Sequence, residues 1–155
     1  MKKIISLFFA FTLLIFCFPV TVGAEILETD GGILYTVENG SVTVQGFNAA
    51  GTVMDIPEKI GGLPVVSIAS QVCRGDSVIT EVRIPRSVTV IGEYAFAECP
   101  NLTKVVMKGG VTVGRSAFRD CKALLTLKLP SSLKSIDDLA FEGCTMLGAV
   151  KIPKG

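Results

Sequence analysis

Cysteines recur at a near-constant interval in this chain, and the thiol is its most reactive repeated group. Cys99, Cys121 and Cys144 lie 22 and 23 residues apart, and Cys73 stands further upstream. Disulfides between them are sterically conceivable, because paired strands lie about 4.8 Å apart and bridged α-carbons need roughly 4.4–6.8 Å. Buried thiols also serve as small apolar fillers. Since the three occupy the same slot of successive repeats, we expect free cysteines in the core.

Side chains that could perform catalysis are sparse. The chain has no histidine, and the cysteine interval is that of the whole repeat, so we expect no metal site and no cofactor. Asp137, Asp138 and Glu142 could form paired carboxylates, but they fall on the outward part of one repeat, where charges are normally solvated. We find no nucleophile elbow and no phosphate loop. The sequence therefore predicts no catalytic residue and no enzyme.

The tripeptide Arg74-Gly75-Asp76 is one that integrins recognise, which would make it an adhesion site. A structural interpretation competes with this one, because Asp76 stands where later repeats have cysteine. A short carboxylate in that slot could accept backbone N–H bonds within its own turn. The sequence leaves both interpretations open.

The residues around the cysteines repeat as a unit. Phe96, Phe118 and Phe141 each stand three residues before a cysteine, and apolar residues follow each cysteine in an L-x-x-L-x-L cadence. A fainter copy begins at Ile68, with Cys73 at the phenylalanine position. A period of about 20–29 residues with this cadence is typical of a leucine-rich-repeat solenoid. We predict a β-rich coil with one short parallel strand per turn, turns or short helices on the convex side, and the phenylalanines stacked inside.

The segment before the repeats has a different pattern. Residues 32–38 and 41–47 alternate between apolar and polar around Asn39-Gly40, a pair that accepts the positive φ angles of a tight hairpin turn. We expect a capping β-hairpin over residues 25–55 and about four repeats over residues 56–155, the last incomplete or uncapped. An uncapped end exposes apolar edges, which predicts either self-association through the C-terminal end or truncation of a longer protein.

The repeat resembles the BspA-type leucine-rich repeat. The string Ile-Pro-x-x-Val/Leu-x-x-Ile-Gly-x-x-Ala-Phe-x-x-Cys-x-x-Leu appears here from Leu129 to Leu147, with Asp137 in place of glycine. The lead-in over residues 35–44 and 56–68 is similar to what precedes such repeats. Members of that family are exported, surface-associated proteins implicated in adhesion and co-aggregation. The resemblance therefore implies a non-catalytic, secreted or cell-surface module that binds an extracellular protein.

A candidate binding face follows from the predicted strands. Residues that flank the middle apolar position of each strand point to the concave side of the solenoid. They include Glu81 and Ala149, and the candidate binding residues among them are Arg83, Lys104, Val106, Thr126, Lys128 and Lys151. Their basic members could form a stripe for an anionic glycan or an acidic protein, which makes a glycan-binding module one alternative function. A structural fragment of a longer surface protein is another.

The first 24 residues have the pattern of a secretory signal peptide. Lys2 and Lys3 precede an apolar stretch, and small residues ending at Ala24 follow it. We therefore expect cleavage after Ala24, export, and no membrane insertion of the mature chain. The net charge of +1 offers no general attraction to nucleic acid.

Overall fold

The computed structural model describes residues 25–153 as a coil of strands and turns; the predicted signal peptide lies outside these residues. The strands are β1 Leu27–Glu28, β2 Ile33–Glu38, β3 Ser41–Phe47, β4 Val53–Asp55, β5 Lys59–Ile60, β6 Leu63–Ile68, β7 Glu81–Ile84, β8 Val90–Ile91, β9 Lys104–Met107, β10 Thr112–Val113, β11 Thr126–Lys128 and β12 Ser135–Ile136. No helix in this part of the chain has the length and apolarity needed to cross a membrane.

Four turns stack side by side, and each contributes to two sheets. A four-stranded parallel sheet has the order β11-β9-β7-β4, and an eight-stranded sheet contains β1-β2-β3-β6-β8-β10-β12 with β5 paired to β6. The predicted solenoid is confirmed, but the prediction of one strand per turn missed the second sheet. Strands of only two residues, such as β8, show no alternation that a sequence pattern could reveal.

The third side of each turn is a turn segment, spanning residues 69–79, 92–102, 114–124 and 137–147. Two backbone positions per segment have positive φ: first Gln71, Tyr94, Ser116 and Leu139, then Gly75, Glu98, Asp120 and Gly143. The segments are joined by their own ladder, in which the N–H of Phe96 donates to Ala117 O and that of Phe118 to Ala140 O, both at 2.8 Å. The convex side is thus built from turns, without helices in the described residues.

The interior is ordered by a column of aromatic rings. Phe96 and Phe118 stack with ring centroids 5.3 Å apart and planes 11° apart. Phe118 and Phe141 repeat this at 5.3 Å and 3°. Phe96 and Phe118 are fully buried, whereas Phe141 is half-buried. The predicted register of the repeats is confirmed, because equivalent rings meet across both boundaries between the second, third and fourth turns.

The predicted hairpin forms before the first turn. Strands β2 and β3 pair antiparallel, with Glu38 opposite Ser41. Asn39 and Gly40 between them have φ angles of 49° and 72°, as the tight turn requires. Strand β3 then pairs in parallel with β6, so the hairpin extends the N-terminal edge of the larger sheet. That it caps the solenoid stays a prediction.

Candidate functional site

The outer face of the four-stranded sheet brings predicted binding residues together. Along β7 and β9 every second side chain, including Val82 and Val105, is buried, so the alternate side chains face outward. Cross-strand register aligns them in two rows. The first row is Val53, Glu81, Lys104 and Thr126, and the second is Asp55, Arg83, Val106 and Lys128. Five of the six predicted residues share this face, while Lys151 is exposed outside the strands.

Ion pairs alter the predicted basic stripe. Arg83 Nη1 lies 3.1 Å from Asp55 Oδ2, and Arg83 Nε lies 2.8 Å from Glu81 Oε1. Lys104 Nζ lies 3.0 Å from the same Glu81 oxygen. Hydrogen bonds from Arg83 and then Lys104 lower the pKa of the Glu81 carboxyl. Half of the stripe is therefore already neutralised within the protein.

Lys128 differs from these two cations, because it has no ion pair within residues 25–153. Beside it, Val106 presents a half-buried apolar side chain in the same row. The ion pairs of the outer face thus join side chains of β4 and β7 with Lys104 of β9, whereas Val106, Thr126 and Lys128 form no ion pair within residues 25–153. The sequence pattern places Glu81 beside Arg83 on this face, but it did not reveal Asp55, which belongs to β4 and precedes the recognisable repeats.

The predicted carboxylate pair lies on the surface. Asp137 and Asp138 are exposed, and with Glu93 and Arg115 they border an open depression of about 410 Å³. Glu142 instead forms an ion pair with Arg119 at 2.8 Å. No group of three or more potential metal ligands forms in the described part of the chain. The carboxylates therefore occupy the solvated position that the sequence indicated.

Both charged side chains of the Arg74-Gly75-Asp76 tripeptide interact with other groups of the same chain. Arg74 Nη2 lies 2.6 Å from Glu98 Oε1, and its guanidinium lies 5.4 Å from the centroid of the Tyr94 ring. Asp76 Oδ1 accepts the N–H groups of Val78 at 2.7 Å and Ile79 at 2.9 Å. The structural interpretation of Asp76 is confirmed, because its carboxylate closes the turn that follows it.

Substitution of Asp76 tests this role. We expect Asp76→Ala to lower the free energy of unfolding by about 1 kcal/mol, since two backbone donors lose their acceptor. Amide exchange at Val78 and Ile79 should accelerate more than exchange in the strands. Asp76→Asn keeps an oxygen acceptor and should retain most of the stability. Equal losses in the two variants, measured by urea denaturation, would contradict the assignment.

The four cysteines of the repeats are free and buried, as predicted. Three of them donate S–H groups to backbone carbonyls of the preceding turn. Cys99 Sγ lies 3.0 Å from Cys73 O, Cys121 Sγ 3.0 Å from Phe96 O, and Cys144 Sγ 3.1 Å from Phe118 O. These contacts explain a thiol at this slot, because it combines a small apolar volume with a weak donor.

Comparisons with known proteins agree with this architecture. A family model described as a BspA type leucine rich repeat region matches residues 66–155 in six copies. A leucine-rich repeat protein from Bacteroides capillosus is 27% identical, with a TM-score of 0.64 over 70% of this chain and 86% of that one. No curated protein matches the chain.

Two further solved structures are similar. A leucine rich cell surface protein from Faecalibacterium prausnitzii is 31% identical, with a TM-score of 0.67 over 77% of this chain and 34% of that one. A leucine-rich repeat protein from Bacteroides ovatus is 36% identical, with a TM-score of 0.60 over 72% of this chain and 32% of that one. The chain therefore spans about a third of the length of these two structures.

Proposed function

The chain belongs to the BspA-type leucine-rich repeat family, and from that premise we propose that it is a secreted or cell-surface module that binds an extracellular protein without catalysing a reaction. The contact surface is the outer face of the four-stranded sheet. Export is supported by the signal-peptide pattern of residues 1–24. A surface location is supported by the similar protein from Faecalibacterium prausnitzii, which is named a cell surface protein.

One observation is central to this proposal: parallel strands present a regular array of outward side chains on a rigid support. Val106, Thr126 and Lys128 come from β9 and β11, which pair in register. Strand β9 pairs with β7 and β11, and beneath the two strands Val105 is buried and Leu127 is half-buried against the core. A rigid array loses little conformational entropy on binding, which favours recognition of another folded surface.

A protein partner fits the charges of this face better than an anionic glycan does. Glycan binding through a basic stripe would need uncompensated cations, yet Arg83 and Lys104 are paired with Asp55 and Glu81. A protein surface can instead bury Val106 while its polar groups meet Thr126 and Lys128. Residues near the centre of an interface, where water is excluded, commonly dominate its affinity.

A biosensor measurement tests this proposal. The protein is immobilised, and purified extracellular-matrix proteins are passed over it one at a time, with heparin as the anionic glycan. We expect saturable binding to at least one matrix protein. Val106→Glu should weaken that binding about 30-fold, because it places a charge at the apolar centre of the interface. Val90→Glu is the matched control. Val90 is an outward valine on the other sheet, 45% exposed, and its substitution should leave the affinity within twofold.

Other outcomes would overturn the proposal. Binding to heparin alone, lost at high salt and in Lys128→Glu, would assign the glycan-binding function instead. Equal losses from Val106→Glu and Val90→Glu would remove the outer face as the contact surface. Binding to no member of the panel would contradict a matrix-protein partner. Circular dichroism of each variant verifies that the fold is retained.

A further inference from the structure

Three exposed cations lie along the corner where the two sheets of the solenoid meet. Each turn passes from the four-stranded sheet to the larger sheet through a short connection. The connections that follow β7, β9 and β11 are residues 85–89, 108–111 and 129–134. Each of them contains one cation and no acidic residue, and the three cations are Arg86, Lys108 and Lys134. All three residues are exposed, and together they form what we call the basic corner.

Close backbone packing makes the three connections neighbours. A methyl group on Gly109 would overlap the carbonyl oxygen of Arg86. A methyl group on Gly110 would lie 2.8 Å from Ser132 O and 3.8 Å from Lys134 Cε. Glycine permits such close approaches because it has no Cβ. Since paired strands lie about 4.8 Å apart, the three cations form a row of roughly 10 Å along the solenoid.

The positive charge of the basic corner is not compensated within residues 25–153, because none of its cations forms an ion pair there. The acidic residues that follow Glu81 in the chain all lie in turn segments, on the third side of the turns and away from this corner. The connection after β4, residues 56–58, contains Glu58, so the row of cations begins with Arg86. The corner therefore differs from the outer face, where Arg83 is paired with two carboxylates.

Backbone donors at the corner also favour an anionic ligand. Ser131 and Ser132 are exposed, and their N–H groups make no backbone hydrogen bond within residues 25–153. Successive N–H groups in a turn conformation can bind anions. The three connections contain no aromatic side chain on which a nucleic-acid base could stack. This combination fits an anionic polymer that has no bases.

We propose that the basic corner binds a linear sulfated polysaccharide, whose sulfate groups pair with Arg86, Lys108 and Lys134. A guanidinium group can bind two oxygens of one tetrahedral anion. A free sulfate or phosphate ion meets one of these cations, whereas a polymer meets all three at once and gains affinity from the linkage. The basic corner is separate from the outer face, so the polysaccharide and a protein partner occupy different surfaces.

Binding to immobilised heparin, a sulfated polysaccharide, tests this site. The purified protein is passed over the heparin surface of a biosensor at several salt concentrations. We expect saturable binding that weakens as the salt concentration rises, because the cations are exposed to solvent. Lys108→Glu and Lys134→Glu should each weaken the binding about tenfold, since each removes one attraction and adds one repulsion. Absence of saturable binding at low salt would contradict the proposal.

Lys122→Glu is the matched control for net charge. Lys122 is also exposed and forms no ion pair within residues 25–153. It lies on a turn segment, where it borders the same depression as Glu98 and Asp120. Its substitution changes the net charge by the same amount as Lys108→Glu, but it should leave the heparin affinity within about twofold. If the two variants lose equal affinity, binding follows net charge alone and the proposal is wrong.

Two further measurements identify the ligand and the surface. Single-stranded DNA should bind at least about tenfold more weakly than heparin, because the corner offers no stacking platform; equal affinities would overturn the assignment to a polysaccharide. Loss of heparin binding in Lys128→Glu, with the corner variants unaffected, would place the glycan on the outer face instead.

Arg86→Glu separates this proposal from the protein contact proposed above. It should weaken heparin binding about tenfold and leave binding of a matrix protein to the outer face within about twofold. Each function can therefore fail in the experiment without the other. Circular dichroism verifies that every charge-reversal variant is folded. A folded Arg86→Glu variant that binds heparin as tightly as the unmodified protein would contradict the site.

Discussion

Replacement of Phe118 by alanine is expected to lower the free energy of unfolding by about 3–5 kcal/mol, as is typical of a large buried aromatic side chain. Phe118 is fully buried and stacks on Phe96 and Phe141 with centroids 5.3 Å apart on each side. Its removal leaves a cavity between two rings that the backbone ladders hold in place. Urea denaturation followed by far-UV circular dichroism measures the loss, which is a large part of a typical domain stability of about 5–15 kcal/mol.

Phe141→Ala is the matched control for this experiment. Phe141 occupies the same slot one turn later but is half-buried and stacks on one ring. Its substitution should therefore cost roughly 1–2 kcal/mol, since less apolar area returns to water and no enclosed cavity forms. Equal costs at the two positions would contradict the account of a continuous column in which the inner rings are enclosed on both faces.

Replacement of Gly32 by alanine is expected to produce the second large effect, a loss of about 3 kcal/mol. A methyl group there would lie 2.6 Å from the backbone nitrogen of Ala49, and Gly32 has a φ of 76°. The positive φ costs a residue with a side chain about 1–2 kcal/mol, and overpacking against backbone adds about 1–3 kcal/mol. The Gly32 carbonyl also accepts the N–H of Asn48 at 2.7 Å, so the strain acts on the connection that leads into β4.

Gly40→Ala separates the two causes. Gly40 has a φ of 72°, but a methyl group there would meet no atom within 4 Å. We expect Gly40→Ala to lower the free energy of unfolding by about 1 kcal/mol, the cost of positive φ alone, in the same denaturation experiment. A Gly32→Ala variant no less stable than Gly40→Ala would contradict the close packing of the hairpin against the segment before β4.

The repeat itself could be predicted from the sequence. Phe96, Phe118 and Phe141 recur because each of their turns packs the same position against its neighbours. The same requirement for a large apolar side chain therefore appears at a regular interval in the sequence. The free cysteines follow from the same logic. Asn39-Gly40 predicted the hairpin because the turn needs positive φ at two adjacent residues. This requirement is local, so it can be recognised from the two residues themselves.

The second sheet and the geometry of the turn segments could not be predicted in this way. Strand β8 contains only Val90 and Ile91, too few residues for a period to appear. Tyr94, Ser116 and Leu139 adopt positive φ without being glycine, and no local preference indicates it. Hydrogen bonds to the adjacent turns hold Tyr94 and Ser116 in a conformation that they would rarely adopt alone.

The candidate binding face was also only partly predictable from the sequence. Alternation along β7, β9 and β11 determined which side chains face outward, and the sequence was sufficient for that. Only the tertiary structure decided which charges remain available, because Arg83 meets Asp55 from a strand 28 residues earlier. A periodic pattern specifies what each turn buries, since burial repeats with the turn. The pairing of exposed charges depends instead on which residues are neighbours in space, and distant parts of the chain become neighbours only when the solenoid has folded.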